Sequence, residues 1–376
     1  MTDTLPNGAE LNPQNMPDLS ATPDSETAIQ RMLNSKTVPV IFSGKKMEYF
    51  KLWLVNLLLS IITLGIYSAW AKVRNTQYLY GHTQIDGHRL AFLAKPMQIL
   101  IGRIIAVVVF AIYALVSSLN PILSLICTLL LMGAYPWLIN AGLRFSMRNT
   151  AYRNVRFSFN GTYGGALVNF ILLPILGVIT MWLAMPWVLK KIHQYIYQNI
   201  SFGGKPFQLP LSTKHYYLTA LALIGAGLAF GLVITGFATA FSLVDQFRYG
   251  AISQALVLPI FMVVYLFAMS ILGAIFYGMI YNHILANLQI EETVAFKADL
   301  KIASFSWLNL SNTLLLIFTL GLAYPITQIR KNQLLASSTE VVLQPGIETL
   351  VNTVQDDKGA FGEEAAGVFD VDLSLT

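Results

Sequence analysis

The chain has 376 residues, 55% of them hydrophobic and 11% charged, with a mean hydropathy of +0.59 and a formal net charge of +5. Soluble domains carry about 25% charged residues, so this composition argues against one large water-soluble core and for multi-pass insertion in a membrane. The charge is unevenly spread: two basic and five acidic residues in 1–41, 21 basic and six acidic in 42–339, one basic and eight acidic in 340–376. The cations of the middle region lie in loops between apolar runs. Membrane lipids with anionic headgroups are therefore the expected partner, and nucleic acid is not.

Residues 1–41 read as a disordered polar tail, without the basic start and apolar run of a signal peptide. Seven apolar windows follow, near 52–71, 98–118, 121–143, 167–189, 216–240, 256–280 and 307–327. Each approaches the ~20 residues that cross a ~30 Å hydrocarbon layer, and none alternates as a barrel strand would. The expected fold is thus an all-α multi-pass membrane protein with about seven transmembrane helices. Asn120-Pro121 makes a hairpin of windows two and three, and SLVDQFRYG joins five and six. Basic loops on both sides of windows one and four conflict with seven full crossings. The alternative has four spans and three re-entrant or interfacial helices, with Pro174 as a kink or break in window four.

Windows one, four and seven match one another without gaps. An offset of 117 superposes Phe42-x-Gly44 on Phe159-x-Gly161, Trp70 on Trp187, Arg74 on Lys191, Tyr78 on Tyr195 and Tyr80 on Tyr197. An offset of 256 superposes Asn56 on Asn312, Thr63-Leu64-Gly65 on Thr319-Leu320-Gly321, Arg74 on Arg330 and Thr83 on Thr339. Apolar bias supplies leucine matches but not Trp, Arg/Lys and Tyr in register. The chain reads as A-B-A-B-A pseudo-repeats within a 42–339 membrane domain. The A units fall near 42–96, 159–214 and 296–339, the helical hairpins 97–158 and 215–295 separate them, and an acidic tail, 340–376, closes the chain.

Each A helix leaves its apolar run through an aromatic and basic cuff. Trp70, Lys72, Arg74, Tyr78, Trp187, Lys191, Tyr195 and Arg330 are the candidate contacts to headgroups or to an anion, either as membrane anchors or around a shared basic cavity. His82, Asp86 and His88 are weighed as metal ligands and as a tight turn. HTQI-DG-HRLAF has the layout of a hairpin, as do VRFSF-NG-TY and NISF-GG-KPFQL, and the acid is lost in the copies, so the turn is preferred. The one cysteine, Cys127, excludes an internal disulfide. No GxSxG, P-loop or HExxH motif occurs, no cofactor or metal is expected, and the one catalytic reading left is a headgroup enzyme using Asp86, His88 and Arg89. Arg103 is the only charge inside a window, which disfavours ion-coupled transport.

The opening FSGKKMEYFKLWLVNLLLSIITLGIYSAWAKVRN (42–75), the FxG–helix–Trp–basic pattern and the closing GEEAAGVFDVD (362–372) resemble the YjgN-like family of bacterial inner-membrane proteins. The resemblance covers about 40–376 and implies a multi-pass protein of the Gram-negative inner membrane. It implies no catalytic residue, because the family has no settled activity. The functions in contention are binding or passage of a small solute, anion or lipid, and a scaffold that docks envelope proteins through its acidic C-terminal tail.

Overall fold

The computed structural model describes residues 35–247, 251–348 and 350–351. Most of the polar N-terminal tail, and the acidic C-terminal tail from residue 352 onward, lie outside these residues. Helices dominate, but the expectation of an all-α fold is overturned by ten short strands: β1 (Lys36–Phe42), β2 (Thr83–Ile85), β3 (His88–Phe92), β4 (Thr150–Tyr152), β5 (Val155–Phe159), β6 (Ile200–Phe202), β7 (Lys205–Pro206), β8 (Gln289–Ile290), β9 (Val294–Ala298) and β10 (Thr339–Leu343). They form one antiparallel sheet in the order β7-β6-β5-β4-β3-β2-β1-β10-β9-β8. The two outer strands then meet through Gln208 and Gln289, whose backbone N–H groups donate to each other's carbonyls at 2.7 and 3.1 Å. That pair joins the ends of the sheet into a near-closed barrel, leaving little unpaired edge.

Four of the strand pairs are local hairpins. Asp86-Gly87, Arg153-Asn154 and Gly203-Gly204 each hold two successive residues at positive φ (49° and 75°, 49° and 66°, 56° and 85°), the backbone of a two-residue hairpin turn. The DG and GG turns are where the sequence puts them. The VRFSF-NG-TY layout is corrected: β5 pairs back to β4 across Arg153-Asn154, and Asn160-Gly161 instead leads into a helix. The pair β1 with β10 joins strands near the two ends of the described chain.

Between strand pairs stand helical hairpins: α1 (Lys46–Ile62) with α2 (Ser68–Gly81), α3 (Pro96–Leu119) with α4 (Pro121–Arg148), α5 (Tyr163–Ile179) with α6 (Met185–Gln198), α7 (Thr213–Phe247) with α8 (Ala251–Asn287), and α9 (Ile302–Phe318) with α10 (Tyr324–Ser337). Because every strand hairpin starts and ends on a helix, all five helical hairpins leave one end of the barrel and the strand turns occupy the other. Neighbouring hairpins touch around the ring, and α10 closes it against α1.

The expectation of seven transmembrane helices is corrected too. Among the described residues four helices are long and apolar enough to cross a membrane, in α3, α4, α7 and α8. Windows one, four and seven are not single helices: each breaks into two at Thr63–Tyr67, Thr180–Ala184 and Thr319–Ala323. Within α5 the ladder widens to a π-helical turn at Val168–Leu172, just before Pro174, which has no N–H to donate.

The barrel interior is filled by the inward residues of alternating strands, among them Val155, Phe157 and Phe159 of β5, Ile200 and Phe202 of β6, Val294 and Phe296 of β9, and Val341 and Leu343 of β10. At the turn end, residues 346–348 and 350–351 form a short helix whose Ile347, Leu350 and Val351 are buried in the same core. Arg153 donates two hydrogen bonds to the Glu348 carboxylate, at 2.7 and 2.9 Å, and fixes this plug to the β4–β5 turn. The bond holds the Glu348 carboxyl below its usual range and raises the Arg153 guanidinium.

Candidate membrane-interface site

The three short hairpins share one construction. At each tip a threonine ends the first helix and caps the second: Thr63 Oγ1 accepts from Tyr67 N at 2.9 Å, Thr180 Oγ1 from Ala184 N at 3.2 Å and Thr319 Oγ1 from Ala323 N at 3.1 Å. The reversal itself uses two residues at positive φ, Leu64-Gly65, Met181-Trp182 and Leu320-Gly321. Its outermost side chains are large, apolar and bare: Leu64 is 94% exposed, Met181 83% and Leu320 92%. Each of the three short hairpins thus ends, on the side away from the barrel, in an exposed apolar tip.

The cuff residues lie below these tips, and they divide. Trp70 stacks on Tyr67 at 6.1 Å, and Lys72 is exposed. Arg74 donates to Tyr67 Oη at 2.8 Å and reaches Asn56 Oδ1 at 3.5 Å; Arg330 donates to Asn312 Oδ1 at 2.7 Å and Ser311 Oγ at 2.8 Å. In both hairpins the arginine of the second helix therefore bridges to an asparagine of the first. Lys191, at the matching position of the middle hairpin, lies 5.9 Å from the centre of the Trp187 ring. Tyr78 and Tyr195 are buried within the protein. Tyr78 stacks on Tyr49 and its hydroxyl accepts from Lys45 N at 3.0 Å; the Tyr195 hydroxyl lies 2.8 Å from Asn140 Oδ1 and 2.9 Å from the Thr162 carbonyl. The eight residues are spread over three hairpins, and the contacts that hold them run within a hairpin or to its immediate neighbour.

FxG explains itself in the same place. A Cβ on Gly161 would fall 2.4 Å from the Phe159 ring and 2.5 Å from Tyr195 Oη, and one on Gly44 would fall 2.6 Å from the Phe42 ring. Only glycine lets the ring that ends the strand fold back under the helix.

His82, Asp86 and His88 do not converge. His82 Nδ1 donates to the Tyr78 carbonyl at 2.7 Å, Asp86 forms an ion pair with Lys36 at 2.6 Å, and His88 Nδ1 faces the Asp86 carbonyl at 2.8 Å. The histidine is one of five residues capping the last turn of a barrel-facing helix through the carbonyl four residues back, with Asn149, Asn199, Asn287 and Ser338. Arg103 donates to Ser68 Oγ across neighbouring hairpins.

Two features escape the sequence. Asn56 and Asn312 are polar residues inside apolar windows, and that polarity was the available signal for the arginine bridges. An apolar cavity of about 140 Å³ sits where helices enter the barrel, lined by Met147, Phe157, Tyr197, Phe207, Leu288 and Phe296 among others. Its lining comes from segments up to 149 residues apart, so no local pattern announces it.

Comparison with known proteins adds a family. The model of the family described as "Bacterial protein of unknown function (DUF898)" matches residues 37–368. The chain is 23% identical to "Inner membrane protein YjgN" of Escherichia coli strain K12 over 391 aligned residues, covering 90% of this chain and 98% of that protein. It is 26% identical to the protein of the same name in Salmonella typhimurium, over 54% of this chain and 48% of that one. No solved structure matches.

Proposed function

Because the chain belongs to the DUF898 family of bacterial proteins and is a YjgN-like multi-pass protein of the inner membrane, we propose that it binds the lipids of one leaflet. In this reading the barrel stands at the cytoplasmic face, all five hairpins enter the cytoplasmic leaflet, and two cross to the far side. One observation carries it: the five hairpins leave the same end of the barrel, and three stop at bare apolar tips. The α3–α4 hairpin and the three short tips carry no Lys or Arg at their turns, whereas Lys45, Lys46, Lys95, Arg148, Lys214 and Lys301 lie near the barrel ends of the helices. The α7–α8 turn, SLVDQFRYG, carries one Arg and one Asp, so the basic residues concentrate on the barrel side, a distribution that fits the positive-inside rule better than seven crossings do. Anionic phospholipid around this basic rim is the ligand it favours. The recurring tip, cap and arginine bridge also support an origin by repetition of a hairpin unit.

The test is labelling of single cysteines with a membrane-impermeant maleimide after Cys127→Ser. Leu119→Cys should react from the periplasmic side, His88→Cys only in inverted vesicles, and Leu64→Cys and Leu320→Cys from neither. Reaction of positions 88 and 119 from the same side would overturn the reading.

A further inference from the structure

A cleft of about 580 Å³ lies on the outside of the barrel, where the α9–α10 hairpin joins it. Its size is that of a small-molecule site. Lys297 at the end of β9, Asp299 and Lys301 in the link to α9, and Glu340 in β10 supply four charges, two of each sign. Lys297 and Glu340 stand opposite each other in the strand register. Yet among the described residues none of the four side chains forms an ion pair or a hydrogen bond, and none is buried. Ser304 and Ser337 add exposed hydroxyls. The first turn of α9 has no side-chain cap, so the N–H groups of residues 302–304 are free for an anion beside Lys301. Above the cleft, on the lipid side, Ile302 and Trp307 are exposed.

Two cations and two anions that line one cleft without pairing complement a ligand that carries both charges. We propose that this cleft is a headgroup site for a phospholipid with a phosphate and a primary ammonium, as in phosphatidylethanolamine. The phosphate is received by Lys297, Lys301 and the first turn of α9. The ammonium, with its three donors, is received by Asp299 and Glu340. The acyl chains run up α9 past Ile302 and Trp307. The assignment rests on the reading above only for the depth of the barrel rim in the membrane.

Purified full-length protein, given an equimolar mixture of phosphatidylethanolamine, phosphatidylglycerol and phosphatidylcholine, is analysed by native mass spectrometry. Retention of phosphatidylethanolamine should exceed that of phosphatidylcholine, whose quaternary ammonium donates no hydrogen bond, by about tenfold. Asp299→Asn with Glu340→Gln should abolish that preference and spare phosphatidylglycerol. Lys297→Gln with Lys301→Gln should lower retention of both lipids. Equal retention of phosphatidylethanolamine and phosphatidylcholine by the unmodified protein overturns the proposal with no variant needed. So does a preference that survives removal of the two acids. Neither result touches the cysteine labelling, so failure here and failure of the one-leaflet reading are separable.

Discussion

Placing a lysine at the tip of a short hairpin separates a tip in hydrocarbon from a tip in water. From Leu52 to Ile62 the first helix is eleven residues, about 16 Å at 1.5 Å per residue. That is close to half of a ~30 Å hydrocarbon core, so Leu64 reaches the depth where a charge is least welcome. Leu64→Lys should then cost about 2.5–3.5 kcal/mol in a bilayer. Leu64 is 94% exposed within the chain and already sits at φ 51°, so the substitution loses no packing and adds no backbone strain of its own. In water the same change would fall within about 0.5 kcal/mol. His88→Lys, exposed at the start of β3, is the control. Reversible unfolding of both variants in lipid bicelles is the measurement. Equal stability of Leu64→Lys and the control would refute insertion of the tip, and with it the one-leaflet arrangement.

Other outcomes follow from particular contacts. Gly161→Ala should destabilise by about 1–3 kcal/mol, because its Cβ meets both Phe159 and Tyr195. Gly225→Ala, with nothing within 4 Å, should be neutral or stabilising by up to about 1 kcal/mol; thermal unfolding in detergent compares the two. Leu350→Ala in the buried plug should cost about 2–5 kcal/mol and make the C-terminal segment more sensitive to limited proteolysis. The Glu348 carboxyl titrates below its usual value because Arg153 donates to it. Its stabilisation is therefore full above the unfolded value near 4.5 and is lost as pH falls through the lower folded value. Side-chain exposure of 58% on the Glu348 side limits the effect to under about 1 kcal/mol. Glu348→Gln should flatten the acid limb of the stability profile by that amount, and an unchanged limb would rule out the ion pair.

Composition and apolar run length determined that this chain enters a membrane, since no packing detail can hide that many apolar side chains from water. Local patterns located the α3–α4 hairpin at Asn120-Pro121 and two strand turns at Asp86-Gly87 and Gly203-Gly204, because such turns are encoded by the two residues that form them. The matched Thr63-Leu64-Gly65 and Thr319-Leu320-Gly321 stretches were legible as matches, but not as reversals. A window average runs straight through a two-residue turn made of leucine and glycine. The barrel was decided by tertiary structure alone. Its strands are two to seven residues long, too short to carry a reliable alternation, and a lone two-stranded hairpin is marginal in water. They become a sheet because β1 meets β10, as in the pairing of Lys36 with Leu343, and Gln208 meets Gln289. The cuffs divided for the same reason. Spacing put Arg74, Tyr78 and Tyr195 at helix exits, but only the packed hairpins turned the tyrosines inward, joined Arg74 and Arg330 to asparagines, and left four charges facing one cleft unpaired.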